Sequence, residues 1–329
     1  MTSGIRAEAL VKHFTPEIRA VDGIDLSIDE GKIFGYLGAN GSGKTTTVRM
    51  LTTLLRPTSG HAEVAGLDVV KRAQRVRRTV GVALQEAGLD DLQTGRELLY
   101  LQGQLFGLNG RKLEERVAYL VSVVDLEDAA DRRVGTYSGG MKRRLDLAAA
   151  LVHDPKILFL DEPTTGLDPI SREAIWKYIM ALNHEQGVTV FLTTQYLEEA
   201  DRLADDVAII DRGKIIATGS PEELKASIGT DVITARIEGN EEDVRRAHDA
   251  VMSLDGAAEV RVVDHAVVVY IREGARHIAP MVLKLTESGV SVGEVTLSRP
   301  TLDDVFLRKT GHHLDGDGQS AAESLEKQH

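Results

Sequence analysis

Hydrophobic positions along the chain change their period several times, and each change marks a structural element. From Ile5 to Ile28 a short apolar–polar alternation predicts half-buried strands of a small antiparallel layer, broken by turns at Thr15-Pro16 and Asp22-Gly23. Lys32 to Leu37 is a compact apolar strand that runs into a glycine-rich turn, after which Thr45 to Leu55 takes helical spacing. From about Thr94 to Val152 the period is mostly helical, with Leu98, Leu99, Leu101 and Leu105 and later Val117, Leu120, Val121 and Val124 on apolar faces. This predicts an inserted helical subdomain over about 86–152. Apolar strands return at Ile157 to Leu160 and Val188 to Thr193, with a helix from Ile170 to Leu182 between them, as in a parallel sheet buried on both faces.

Past Pro221 the character changes. Strand, helix, two strands, helix and strand are predicted at Val232 to Glu238, Glu241 to Leu254, Glu259 to Val263, Ala266 to Ile271, Ala275 to Ser288 and Val290 to Leu297. That β-α-β-β-α-β order is a split βαβ domain, placed at 230–311. The run Val267-Val268-Val269 fits its core better than a binding face. A polar, glycine-bearing tail over 312–329 is expected to be disordered.

Composition narrows the function. The 329 residues and 42% hydrophobic content suffice for one large α/β domain and a smaller one, and zero cysteines exclude disulfides and thiolate chemistry. Met1 to Lys12 carries no apolar signal segment, and no apolar stretch approaches the roughly 20 residues that cross a bilayer. A cytoplasmic location without direct membrane insertion is therefore expected. The formal net charge of −12 opposes binding to nucleic acid or to anionic lipid, so membrane contact has to come through a protein partner.

The strongest chemical signal is Gly38 to Thr45, GANGSGKT, a full match to the phosphate loop G-x-x-x-x-G-K-[ST] between a strand and a helix. Gly38, Gly41 and Gly43 permit positive φ, so that the backbone N–H groups of Ala39, Asn40, Ser42 and their neighbours can turn inward around phosphate oxygens. Lys44 would reach the β- and γ-phosphates of ATP, Thr45 would offer its hydroxyl to Mg²⁺, and Thr46 is placed for an α/β-phosphate contact. Downstream, ILFLDE at Ile157 to Glu162 ends a buried strand in two carboxylates. Many strands end in solvated acids, but after a phosphate loop Asp161 is suited to Mg²⁺ and Glu162 to activating the attacking water.

Tyr137 to Met141, YSGGM, followed by Lys142-Arg143-Arg144-Leu145 just before ILFLDE, resembles the signature motif of ABC-transporter ATPases, usually LSGGQ. On geometry alone, Ser138, Gly139 and Gly140 could be no more than a capped helix start. The order of loop, signature and acidic strand resembles the family over residues 1 to about 225. The resemblance implies a P-loop NTPase fold of ABC type, α/β with an antiparallel β layer and a helical subdomain, followed by a small ferredoxin-like α+β domain. It implies a head-to-tail homodimer with ATP between the phosphate loop of one copy and the Ser138 segment of the other. Gln85 looks like the Q-loop glutamine that senses Mg²⁺ and water, although a solvated glutamine is the alternative. Asp168 of Gly166-Leu167-Asp168 looks like the D-loop aspartate, and Phe14 occupies the place of the adenine-stacking aromatic, or else is a buried strand residue.

One position departs from the pattern. Thr193-Thr194-Gln195-Tyr196 aligns with the switch segment, where the family has histidine in place of Gln195; glutamine can donate to a γ-phosphate but cannot take up a proton. YSGGM, TTQYL and the stretch SRPTLDDVFLRKTG at Ser298 to Gly311 look most like the daunorubicin-resistance branch. That resemblance implies an ATPase on the cytoplasmic face of the membrane that drives export of a hydrophobic small molecule or drug through a separate permease. Two other readings are a soluble ABC-type ATPase acting on a non-membrane partner, and a protein that sequesters the drug itself. A single phosphate loop and no sustained heptads weigh against the first.

Overall fold

A computed structural model of the chain describes residues 3–15, 17–85, 88–228, 231–311 and Leu314. The expected tail over 312–329 lies outside the described residues apart from Leu314, as does Pro16 of the Thr15-Pro16 turn. The chain divides into two compact units, one ending at Thr218 and the other beginning at Gly219.

In the first unit, β1 (Ser3–His13) and β2 (Arg19–Asp29) lead to β3 (Ile33–Leu37) and α1 (Lys44–Leu51), then β4 (Ser59–Val64), β5 (Leu67–Asp68), α2 (Ala73–Thr79) and β6 (Val80–Ala83). Three helices follow with no strand between them: α3 (Gly95–Leu105), α4 (Gly110–Val123) and α5 (Gly139–Ala150). The chain then runs through β7 (Ile157–Asp161), α6 (Pro169–Gln186), β8 (Thr189–Thr194), α7 (Leu197–Leu203), β9 (Asp206–Asp211) and β10 (Lys214–Gly219). Two sheets result, a four-stranded antiparallel layer in the order β2-β1-β4-β5 and a six-stranded sheet in the order β10-β9-β3-β8-β7-β6. Strands β9, β3, β8, β7 and β6 run parallel.

Every residue of β3, β7 and β8 is buried, because helices or the antiparallel layer cover both faces of the six-stranded sheet. The period of two then sorts side chains between two cores. Phe34, Phe159 and Phe191 pack with α1 and the antiparallel layer, whereas Leu158, Leu160, Val190 and Leu192 pack against α3 to α6. Phe191 is the hub of the first core, with ring centres 5.7, 5.4 and 5.5 Å from Phe34, Tyr36 and Phe159.

Three local expectations are corrected. Asp22-Gly23 is not a turn: β2 continues through it, and Gly23, at φ +78°, absorbs the register shift between the pairs Leu10–Ile24 and Val11–Asp22. The helix expected to reach Leu55 stops at Leu51, because Thr53 takes φ +66° and leaves Leu54 exposed. On α3, Leu98 and Leu99 are buried while Leu101 and Leu105 face outward.

The second unit contains α8 (Pro221–Ala226), β11 (Asp231–Glu238), α9 (Glu241–Met252), β12 (Ala257–Val263), β13 (Ala266–Ile271), α10 (Ile278–Glu287), β14 (Ser291–Ser298) and α11 (Leu302–Thr310). Its sheet order, β12-β13-β11-β14, antiparallel throughout, is that of a split βαβ fold. Val244, Ala247, Val251, Met281 and Leu285 of α9 and α10 pack on Ile233, Ala235, Val267 and Val269, which places the valine run in the core. The SRPTLDDVFLRKTG stretch forms α11, opened by a Thr301–Asp304 capping box and closed by Gly311 at φ +87°.

Candidate functional site

Parallel register decides which segments meet. Leu37 lies opposite Thr194, Asp161 opposite Thr193, and Leu160 opposite Ala83. The chain therefore leaves the C-terminal edge of one sheet at Gly38, Leu84, Glu162 and Gln195, the position at which parallel α/β sheets bind ligands.

At Gly38 the phosphate loop is built for close approach. A Cβ there would lie 2.4 Å from the Ile210 carbonyl oxygen and 2.6 Å from Ser42 Oγ, and one on Gly43, at φ +110°, would lie 2.3 Å from the Ala20 carbonyl oxygen. Glycine is thus required on steric grounds at both positions and on conformational grounds at Gly43; the positive φ expected at Gly38 is found only at Gly41 and Gly43, because Gly38 directly continues β3. Ser42 N–H donates to Ala39 O, and Ser42 Oγ is buried without a partner. Asn40 and Gly41 are exposed at the tip, and Thr45 and Thr46 are half-buried in the first turn of α1. Lys44 folds back over the loop, its Nζ donating to Gly38 O at 2.8 Å and Ala39 O at 3.0 Å.

The same ammonium group lies 3.1 Å from Glu162 Oε1, with the two side chains only 4% and 5% exposed. Burial pulls the Lys44 pKa below the ordinary lysine value, against the opposing attraction of Glu162 and Asp161. Glu162 sits at φ +50°, in the left-handed region where a residue with a β-carbon is uncommon, and Thr165 Oγ1 donates to its other oxygen at 3.3 Å. Asp161 is fully buried. Thr193 Oγ1 donates to Asp161 Oδ1 at 2.6 Å, while Oδ2 has no partner. A buried carboxylate oxygen left open at the phosphate edge suits a hard cation such as Mg²⁺, with the Thr45 hydroxyl as the second donor.

The signature segment belongs to a different part of the unit. Ser138 caps α5 by accepting from Met141 N at 3.2 Å, and Gly140 leaves no room for a side chain, since a Cβ would lie 2.7 Å from Ser171 Oγ. Asp168 caps α6 through Ile170 N and Ser171 N and takes a 2.6 Å bond from the Ser171 hydroxyl, which holds its carboxyl below the usual range. Ser138 to Gly140 and Asp168 are thus brought together at the starts of two neighbouring helices. Among the described residues no hydrogen bond or ion pair joins Ser138 to Gly140 with residues 38–46 of the same chain.

Phe14 is not a buried strand residue: it follows β1, is 56% exposed, and has Lys12 Nζ 5.4 Å from its ring centre. Gln85 is exposed and Gln195 is half-buried, each just beyond its strand at the phosphate edge. Two contributors escape motif reading. Thr193 both orients Asp161 and accepts from Glu162 N–H at 3.0 Å. Arg143, buried on α5, donates to the carbonyls of Leu84, Asp161 and Pro163. The available signals were a threonine inside an apolar strand end and a cation one turn past a helix cap, and neither names a partner.

A family model described as ABC transporter matches residues 21–165, and one described as ATP-binding protein DrrA1-3-like, C-terminal domain, matches residues 219–310. The chain is 46% identical over 311 residues to the daunorubicin resistance ATP-binding protein DrrA2 of Streptomyces coeruleorubidus, covering 94% of this chain and 96% of the relative. It is 44% identical to the daunorubicin/doxorubicin resistance ATP-binding protein DrrA of Streptomyces peucetius, over 99% and 98%. The Nod factor export ATP-binding protein I of Cupriavidus metallidurans is 41% identical, over 89% and 93%. Among solved structures, an ATP-binding cassette in a dimeric post-hydrolysis state bound to ADP and Pi superposes with a TM-score of 0.61 at 25% identity, over 66% of this chain and 98% of the other. CbiO1 of Clostridium perfringens, part of an ABC transporter complex, gives 0.64 at 25% identity, over 77% and 96%.

Proposed function

The chain belongs to the ATP-binding subunits of ABC transporters, in the branch with a daunorubicin-resistance type of C-terminal domain, and from that premise we propose that it powers export of a hydrophobic small molecule through a separate membrane permease. It is an ATP-hydrolysing transporter subunit. The observation that carries the site assignment is the 3.1 Å pairing of Lys44 with Glu162, which puts a phosphate-binding cation and a water-activating carboxylate at one buried point.

The triphosphate of ATP lies along the inward amides of residues 38–46. Lys44 exchanges the Gly38 and Ala39 carbonyls for the β- and γ-phosphate oxygens, which releases Glu162 to accept a proton from the attacking water. Thr45 and Asp161 would hold Mg²⁺, with Gln85 as a further candidate ligand, and the ion would supply charge neutralisation to the triphosphate. Gln195 donates an N–H to the γ-phosphate and Phe14 stacks on adenine. Ser138, Gly139 and Gly140 face outward at a helix start, so they serve the ATP of a second copy, with Asp168 beside them at the seam. Loss of the γ-phosphate loosens that sandwich and delivers the opening motion.

A groove of about 400 Å³ between β6, α3 and α5 is the docking place for the permease. It is lined by Leu54, Leu84, Leu89, Phe106, Asp146 and His153, with the Phe106 and His153 rings stacked at 3.7 Å. No described helix is long and apolar enough to cross a membrane, so attachment at the cytoplasmic face runs through this partner. Relatives named for daunorubicin and for Nod factor export share most of the chain's length, which supports a reading in which the permease chooses the cargo. The test is co-purification from membranes with a multi-spanning protein encoded nearby, with ATP turnover that changes when the two are reconstituted. Unchanged turnover and no association would refute the transport role.

A further inference from the structure

We infer that Arg143 is a positioning residue for Glu162, a role that rests on Glu162 being the water-activating base. The guanidinium is buried on α5 and its bonds go almost entirely to main-chain carbonyls. Nη2 donates to Asp161 O at 3.1 Å, Nε to Pro163 O at 2.9 Å, and Nη1 to Leu84 O at 2.6 Å, with Asp146 Oδ2 3.1 Å from the same nitrogen. Two of those carbonyls flank Glu162 in sequence. The peptide between Asp161 and Glu162 is held from both ends, its carbonyl by Arg143 and its N–H by Thr193 O at 3.1 Å and Thr193 Oγ1 at 3.0 Å. This grip sits at the one residue of the DE pair whose φ is positive, +50°, a conformation the local chain would otherwise leave.

The guanidinium shape matters. A planar fork spans three carbonyls that diverge from β6 and β7, whereas an ammonium group is a point donor that reaches one or two. Arg143 also joins the base to the root of the Gln85 segment through Leu84, and to the helix that starts at Ser138. Relaxation of Glu162 by even an ångström costs turnover without touching the phosphate loop, because the bonds of Arg143 go to Leu84, Asp146, Asp161 and Pro163 and, among the described residues, none goes to residues 38–46.

The experiment compares Arg143→Met, Arg143→Lys and Glu162→Gln in the purified full chain, measuring thermal stability, Mg-ATP affinity and steady-state kcat and KM. Arg143→Met leaves Asp146 buried opposite an apolar side chain and is expected to lose stability as well as rate. Arg143→Lys is expected to recover stability and to keep KM and Mg-ATP affinity within about twofold, while kcat stays ten- to a hundredfold low. Adding Arg143→Lys to Glu162→Gln is expected to cost little further turnover, since both act on one group. Wild-type kcat in Arg143→Lys, or full additivity in the double variant, would overturn the positioning role while leaving Glu162 as base. Undiminished kcat in Glu162→Gln alone would remove the base assignment and this inference together.

Discussion

Lys44 Nζ and Glu162 Oε1 stand 3.1 Å apart in a place that water scarcely reaches. With no triphosphate present, each supplies the counter-charge the other needs, so ATP has to displace a buried ion pair before it is gripped. Losing one member leaves a buried charge unpaired, typically at a cost of about 3–5 kcal/mol.

Lys44→Ala is therefore expected to abolish Mg-ATP binding and also to lower the stability of the nucleotide-free chain. Lys44→Met combined with Glu162→Gln should recover much of that stability without recovering binding. Denaturant titration of the three proteins checks this; equal stability of wild type and Lys44→Ala would show that the pair is not formed in solution.

Glu162→Gln removes the competitor for Lys44 as well as the base. Affinity for Mg-ATP should be unchanged or tighter, an ATP-dependent dimer should accumulate, and turnover should fall by a factor on the order of 10² to 10⁴. Calorimetry and size-exclusion chromatography with ATP read the first two. Weaker binding in this variant would mean that Glu162 holds nucleotide rather than water.

At Gln195 the switch segment carries no group that titrates near neutrality. Gln195→His should preserve ATP binding and introduce a change in turnover between about pH 6 and 7, the range of an ordinary imidazole. A pH–rate profile superimposable on that of the wild type would argue against contact between residue 195 and the γ-phosphate.

Asp146 predicts a pH effect on stability. Burial pushes its carboxyl up from 3.8 to about 6, against the opposing pull of Arg143, and Arg77 and His153 line the same groove. A raised folded-state pKa means that the stabilisation is complete below about pH 4 and is lost as pH rises through 6, by about 3 kcal/mol at most. Asp146→Asn should remove this loss, so its stability relative to wild type should improve steadily from pH 4 to pH 7. A constant difference across that range would place Asp146 in contact with water.

Much of this architecture was legible because single residue types at fixed spacing carry it. The phosphate loop is recognisable because its glycines and Lys44 recur at fixed spacing within eight residues, although the atoms that exclude a side chain at Gly38 and Gly43, Ile210 O and Ala20 O, come from distant strands, and ILFLDE announces a buried strand ending at the phosphate edge. Relationships between distant segments were not legible. Nothing in the local pattern tells that Arg143 crosses to Leu84 and Pro163, or that Thr193 fixes Asp161, because those bonds depend on strand order and register. At Asp22-Gly23 the same limit applies in reverse: a turn-forming pair was carried through a strand as a bulge by its pairing with β1. Phe14 was ambiguous for want of a partner in the sequence, and its exposure comes from the chain leaving β1 one residue earlier.

The second unit offers a test of what its terminal helix is for. Glu259 stands between two arginines, with Oε1 2.6 Å from Arg261 Nε and Oε2 2.7 Å from Arg308 Nε. Arg261 in turn donates to the carbonyls of Leu307 and Arg308 at the end of α11, at 2.7 and 2.8 Å, and Arg308 donates to Ile228 O at 2.8 Å, just past α8. The clamp fastens α11 to β12 and α8, so that Phe306 and Val305 stay buried. Glu259→Ala leaves both arginines without a counter-charge and should destabilise this unit by about 1–3 kcal/mol, with faster proteolysis near residue 308. Because the ion-pair partners of Glu259, Arg261 and Arg308, belong to its own unit, kcat and KM for ATP in the purified chain should not move. A matching fall in turnover would mean that the C-terminal unit takes part in the ATP cycle itself, in addition to holding its own fold.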